Sequence, residues 1–222
     1  MIPLRDSIAS GSRPVVNGWL IALNVLVFAY QLFLPDFELN HFVERYGFIP
    51  ARLEYSSLFT SMFLHGGWMH LIGNMWFLWI FGDNIEDTLG HGKYLAFYLL
   101  SGLAAAFLQI AVDPLSTVPN IGASGAISGV MGAYLIQFPH SRILTLIPII
   151  IFFTTIELPA WLLLAYWFGI QFLSGVGSVA STRSTEGGVA WFAHVGGFLA
   201  GMVLIKLMRP KPPYWRRRDL AW

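Results

Sequence analysis

Apolar residues in this chain fall in long runs, and the charged residues are gathered between them. A bilayer core of about 30 Å is crossed by about 20 helical residues at about 1.5 Å each. On that template six spans are expected, at residues 16–34, 68–82, 94–112, 123–138, 156–176 and 189–208. A further apolar stretch, residues 143–153, is too short to cross alone and ends in Thr154 and Thr155. It reads as a partly embedded connection between the fourth and fifth spans. The connection at 35–67 is mixed and contains Pro35 and Pro50, yet Phe37, Phe42, Tyr46, Phe48, Ile49 and Leu53 make it too apolar for a plain linker. It is expected to lie in the membrane interface.

Composition agrees with this pattern. Of 222 residues 56% are hydrophobic and 11% charged, against roughly 25% charged in an average soluble domain. The expected fold is therefore all-α: a polytopic six-helix bundle forming a single domain over 1–222, with its core at about 16–208. A net charge of +1 gives no reason to expect a nucleic-acid partner; membrane lipid is the expected surroundings. The chain has no cysteine, which excludes disulfides, thiolate catalysis and Cys-ligated zinc. The first apolar run is long enough to span and lacks a small-x-small cleavage site, so it reads as a helix and not as a signal peptide.

The basic residues suggest an orientation. With a cytoplasmic N-terminus, Arg5, Arg13, Lys93, Arg142, Lys206, Arg209, Lys211, Arg216, Arg217 and Arg218 fall inside, and only Arg45, Arg52 and Arg183 outside. That follows the positive-inside rule, with both termini cytoplasmic. The basic tail from Lys211 to Arg218 suits anionic headgroups, and equally reads as a solvated tail.

Polar groups inside a bilayer are costly, so each asks for a reason. The set here is His65, His70, Asn74, Ser124 and His194. The second, fourth and sixth spans all run inward, and His70, Asn74, Ser124 and His194 lie near their outer ends. Three helices thus bring polar side chains to one depth, as a shared site requires. Ser124 can be read as a small packing residue among Gly122, Gly125, Gly129 and Gly132. It also opens a helix, beside unpaired N–H groups able to stabilise an oxyanion. Ser128, one turn on, is the rival nucleophile but lies where no free N–H remains. His194 can be structural, or the general base for Ser124 if Gly197 and Gly201 let the sixth helix pack on the glycine-rich fourth. Glu157 is placed at the inner start of the fifth helix, and Asp113 and Glu186 in outer loops, so no carboxylate completes a triad and a Ser–His dyad is expected. His70 and Asn74, four apart on one face, are either helix glue or oxyanion donors. His65 reads as structural.

Three stretches together resemble the rhomboid family of intramembrane serine proteases: His65-Gly-Gly-Trp-Met-His70-Leu-Ile-Gly-Asn74, Gly122-Ala-Ser124-Gly125 and Ala193-His194-Val-Gly-Gly197-Phe-Leu-Ala-Gly201. Gly82 and Glu86 fit the end of the second helix, and the likeness covers about 46–208. The resemblance implies a cofactor-free endopeptidase, with no metal, that cuts transmembrane protein substrates near their outer ends. Ser124 would be the nucleophile and His194 the base, with His70, Asn74 and the Ser124 N–H lining an oxyanion hole. The 35–67 connection and the fifth helix would border lateral access, and the six-helix form looks like that of prokaryotes, in their inner membrane. Two positions depart from the pattern. Ser56 and Ser57 stand where many relatives have Trp-Arg, and Ser128 where some place a Tyr against the imidazole, so another residue must hold the His194 ring. Three other classes remain as rivals: a catalytically dead binding relative, a metal enzyme built on His65, His70 and His194, and a small transporter.

Overall fold

The structure, a computed structural model, describes residues 1–149, 152–180 and 189–208. The expected positions of Arg183, Glu186, Arg209 and the basic tail from Lys211 to Arg218 lie outside those residues. The protein is mostly helical. In chain order the elements are β1 (Ile2–Asp6), α1 (Val15–Leu32), α2 (Asp36–Tyr46), α3 (Ser57–Thr60), α4 (Trp68–Leu89), α5 (His91–Val112), α6 (Ser124–Gln137), β2 (Arg142–Ile149), β3 (Phe152–Pro159), α7 (Ala160–Ala180) and α8 (Trp191–Leu207). Two 3-10 turns, Pro50–Arg52 and Ser61–Phe63, interrupt the segment between α2 and α4.

Among the described residues three helices are long and apolar enough to cross a membrane: Val15–Leu32, His91–Val112 and Ala160–Ser178. The expected spans at 68–82, 123–138 and 189–208 are helical too, as α4, α6 and α8. However, α4 continues to Leu89 with Asp83, Glu86 and Asp87 near its end, while α6 has 14 residues. At about 1.5 Å per residue α6 is about 21 Å long, short of a full crossing.

The connection at 143–153 differs from expectation. It is an antiparallel pair, β2 against β3, joined by β1 into a three-stranded sheet of order β1-β2-β3. The residues explain it. Ile143, Thr145 and Ile147 alternate along β2, and Thr154, Thr155 and Ile156 lie along β3, where β-branched side chains favour the extended backbone. Ser141, Ile143 and Thr145 point inward with the period of two that a strand imposes. Glu157 accordingly lies in β3, bonded to Arg142 at 3.1 Å across the sheet, and α7 begins at Ala160. Asp6 fastens β1 to the bundle by accepting hydrogen bonds from Tyr134 on α6 (2.6 Å) and Asn84 on α4 (2.9 Å).

Two devices fix the helices that carry the site. At one end Glu86, fully buried, accepts the N–H groups of Val16 (2.8 Å) and Asn17 (2.7 Å). A carboxylate there satisfies two of the unpaired donors that open α1 and meets the positive end of its dipole. Asn17 then reaches the Leu78 carbonyl and receives the Tyr94 hydroxyl, so α1, α4 and α5 share one buried polar knot.

The second device is a seam of glycines between α6 and α8. A Cβ at Gly197 would land on the carbonyl of Gly125, one at Gly201 on the carbonyl of Gly129, and one at Gly132 on that of Phe198. Close backbone approach of this kind lets dispersion act between whole helices where lipid removes the hydrophobic drive.

Gly201→Val is expected to wedge α6 from α8 and destabilise the fold by more than the roughly 1–3 kcal/mol of ordinary overpacking. Thermal unfolding in detergent should show a clearly lowered midpoint, whereas Gly169→Ala, with nothing within 4 Å, should not lower it.

Candidate active site

Ser124 is the first residue of α6, and the chain ahead of it is held from outside the helix. Phe48 and Asn120 exchange both main-chain hydrogen bonds (3.1 and 2.8 Å), and the Gly122 N–H donates to the Ser61 carbonyl at 2.9 Å. The segment between α2 and α4 therefore acts as a scaffold for the loop that delivers Ser124. Gly122 has φ +119, a backbone that side chains rarely adopt, and a Cβ there would strike the His70 ring.

Across the seam, His194 lies in the first turn of α8. Its Nε2 is 2.8 Å from the Ser124 Oγ. Its Nδ1 is 2.7 Å from Oε1 of Gln171 on α7. Trp167, one turn before Gln171, tilts its ring against the imidazole at 5.9 Å between centroids, and Trp191 meets it edge-on at 6.2 Å. Gln171 and Trp167 were not among the residues singled out in the sequence. Their spacing of four, placing both on one face of an apolar helix, was the available signal.

Ser128 is fully buried and donates to the Ser124 carbonyl at 2.6 Å, so its hydroxyl is spent on the backbone one turn back. Asn74 on α4 donates from Nδ2 to His65 Nε2 at 2.9 Å. His65 is in turn clamped by Gln31 of α1, whose amide group accepts the His65 N–H (3.0 Å) and donates to its carbonyl (3.1 Å). The Asn74 amide nitrogen can only donate, so His65 Nε2 is the acceptor and its ring is neutral there. His70 stacks edge-on to His65 at 5.0 Å and stands over Gly122.

Ser124, His194, His70, Asn74 and Gln171 all face one open cavity of about 870 Å³, lined otherwise mainly by apolar side chains such as Met69, Phe77, Ile127 and Met131. His65 does not line it. Among the described residues no group of three or more His, Cys, Asp or Glu is placed to hold a metal ion.

A mostly helical protein with several membrane-length apolar helices and a hydroxyl–imidazole pair in a mixed cavity is the class of molecule this architecture defines. The chain belongs to the rhomboid family: the model of the Rhomboid domain matches residues 52–211. Among curated proteins it is 29% identical over 191 residues to "Rhomboid protein 1, mitochondrial" of Saccharomyces cerevisiae, covering 83% of this chain and 50% of that one. It is 34% identical over 161 residues to "RHOMBOID-like protein 6, mitochondrial" of Arabidopsis thaliana (69% and 44%). It is 31% identical over 142 residues to "Presenilin-associated rhomboid-like protein, mitochondrial" of Homo sapiens (62% and 36%). The chain thus spans half or less of the length of these relatives.

Gly122→Ala is expected to cost about 1–3 kcal/mol through backbone strain alone and to displace His70. An unfolding midpoint unchanged from the parent would show that the loop tolerates a side chain.

Proposed function

We propose that this protein is an intramembrane serine endopeptidase that hydrolyses peptide bonds in or near the transmembrane segments of membrane-protein substrates. The observation that carries the reading is the 2.8 Å approach of the Ser124 hydroxyl to His194 Nε2 at the wall of the cavity. The imidazole takes the serine proton as Oγ attacks the scissile carbonyl, then gives it to the leaving amine. Water repeats the cycle on the acyl-enzyme. Among the described residues the partner of His194 Nδ1 is Gln171 and not a carboxylate, so the pair is read as a dyad, and neither step calls for a metal or cofactor.

The first N–H groups of α6 have no partner within the helix. With the Asn74 carboxamide and the His70 ring they form the proposed oxyanion hole. His65 and Gln31 keep Asn74 aimed. Gly122, Gly125, Gly197 and Gly201 serve by letting α6, α8 and the loop before α6 approach their neighbours. The six helices α1, α4, α5, α6, α7 and α8 are read as the spans, with both termini on the cytoplasmic side and the cavity opening to the other face. Substrate and lipid are the partners. The exposed aromatic rings of Phe33, Phe37 and Tyr55 around α2 and α3 suit the membrane interface. The mitochondrial names of the relatives favour an organellar membrane over the prokaryotic inner membrane suggested by the helix count. Fractionating the source cells decides between them.

In liposomes holding a transmembrane substrate, Ser124→Ala and His194→Ala should each lower cleavage by about 10³-fold or more. Chelators should have no effect. Activity persisting in Ser124→Ala would rule the mechanism out, and dependence on added zinc would favour a metal enzyme.

Asn74→Ala should lower kcat by about 10²–10³ if it donates to the oxyanion. Ser128→Ala should retain substantial activity. A folded Ser128→Ala protein as inactive as Ser124→Ala would move the nucleophile to Ser128.

A further inference from the structure

A histidine base without a carboxylate partner faces a tautomer problem. Neutral imidazole carries one proton, on either nitrogen, and only the form with the proton on Nδ1 leaves a lone pair on Nε2 to accept from serine. Something must select that form. In this chain the Nδ1 neighbour is Oε1 of Gln171, at 2.7 Å, and Gln171 is itself buried. A carboxamide oxygen can only accept, so the bond requires the proton on Nδ1 and turns the Nε2 lone pair to Ser124 Oγ. Trp167, on the same face of α7, closes the ring in from the side.

We infer that Gln171 is the positioning residue of the site: its side-chain oxygen holds His194 in the productive tautomer and steadies the imidazolium formed when Ser124 attacks. This rests on the Ser124–His194 dyad proposed above and extends it. The balance of the step is simple. The Ser124 proton passes to Nε2 as the Oγ–C bond forms, the ring then carries both protons, and the proton on Nδ1 stays there, still bonded to Gln171. The amide gains no proton and no charge. It differs from a triad carboxylate in offering the oxygen without the full negative charge, which a low-dielectric surround makes costly. If the amide were turned, its NH₂ would donate to Nδ1, leaving the proton on Nε2 and the ring unable to act as base. Oxygen, and not merely a polar group, is what the position needs.

The test uses the full chain in liposomes with a transmembrane substrate, and an organophosphonate probe that labels the reactive serine. Gln171→Leu should lower kcat by about 10- to 100-fold with KM within about twofold, and slow labelling of Ser124 in parallel. Gln171→Glu, which presents oxygen in either orientation, should restore most of the rate, and its carboxylate should move the acidic limb of the pH–rate profile to higher pH. Gln171→Met, of similar length but without oxygen, replaces the leucine variant should that one fail to fold.

Wild-type kcat and labelling in a folded Gln171→Leu protein overturn the inference while leaving the dyad intact, provided Ser124→Ala and His194→Ala are inactive. Failure of Gln171→Glu to recover activity in a folded protein, assayed above its shifted acidic limb, also overturns it, since an oxygen at that position would then not be what the site needs. An active Ser124→Ala protein removes the dyad itself.

Discussion

Two helix backbones can touch only where neither presents a side chain, and α6 and α8 meet under that condition at Gly125 against Gly197 and Gly129 against Gly201. This contact sets the distance between the helix that bears Ser124 and the helix that bears His194. A serine and a histidine have short reach, so a bond of 2.8 Å between them is possible only if their helix axes are already drawn together. The seam extends away from the site through Gly132, which keeps the two helices close over about two turns of α6. The approach of the two side chains thus depends on glycine Cα–H groups of α8 lying against main-chain carbonyls of α6.

The remaining parts of the site are aimed by groups that never face the cavity or only border it. Ser61 and Phe48 hold the loop before Ser124 through main-chain bonds, and Gln31 grips the His65 backbone from α1. His65 then carries Asn74. These chains of contacts begin on different elements and end at the mouths of α6 and α4. At the far end Glu86 fastens α1 to α4. Registry of α1 is thus fixed at both ends, which matters because Gln31 lies in its last turn.

How much of this could be seen in the sequence differs by element. Ser124, His194, His70 and Asn74 stood out because a polar group in an apolar run needs a reason, and the structure brings them to one cavity. Gln171 escaped the same filter. Flanked by Ile170 and Phe172, an uncharged amide hardly disturbs the hydropathy of its helix, and only its spacing from Trp167 marks it. His65 reads as structural in the sequence, but its partner Gln31 lies more than thirty positions away and could not be named from it. The sheet was missed for another reason. Apolar length over residues 143–153 cannot tell a strand from a helix fragment, while β-branched residues at alternate positions, Ile143, Thr145 and Ile147, favour the strand. Its partner β1 comes from the opposite end of the chain, and such pairing leaves no local signature.

The hydrogen bond between Gln171 and His194 joins two helices of unequal standing. One, α8, is locked into the seam; the other, α7, turns Trp161, Leu173 and Val176 outward. A helix bounded largely by lipid adjusts its tilt to the thickness of the hydrocarbon layer around it. With 2.7 Å separating oxygen from nitrogen, a shift of about 1 Å at that level is enough to undo the bond. On the role proposed for Gln171, the thickness of the surrounding bilayer would act through one amide on the protonation geometry of the imidazole.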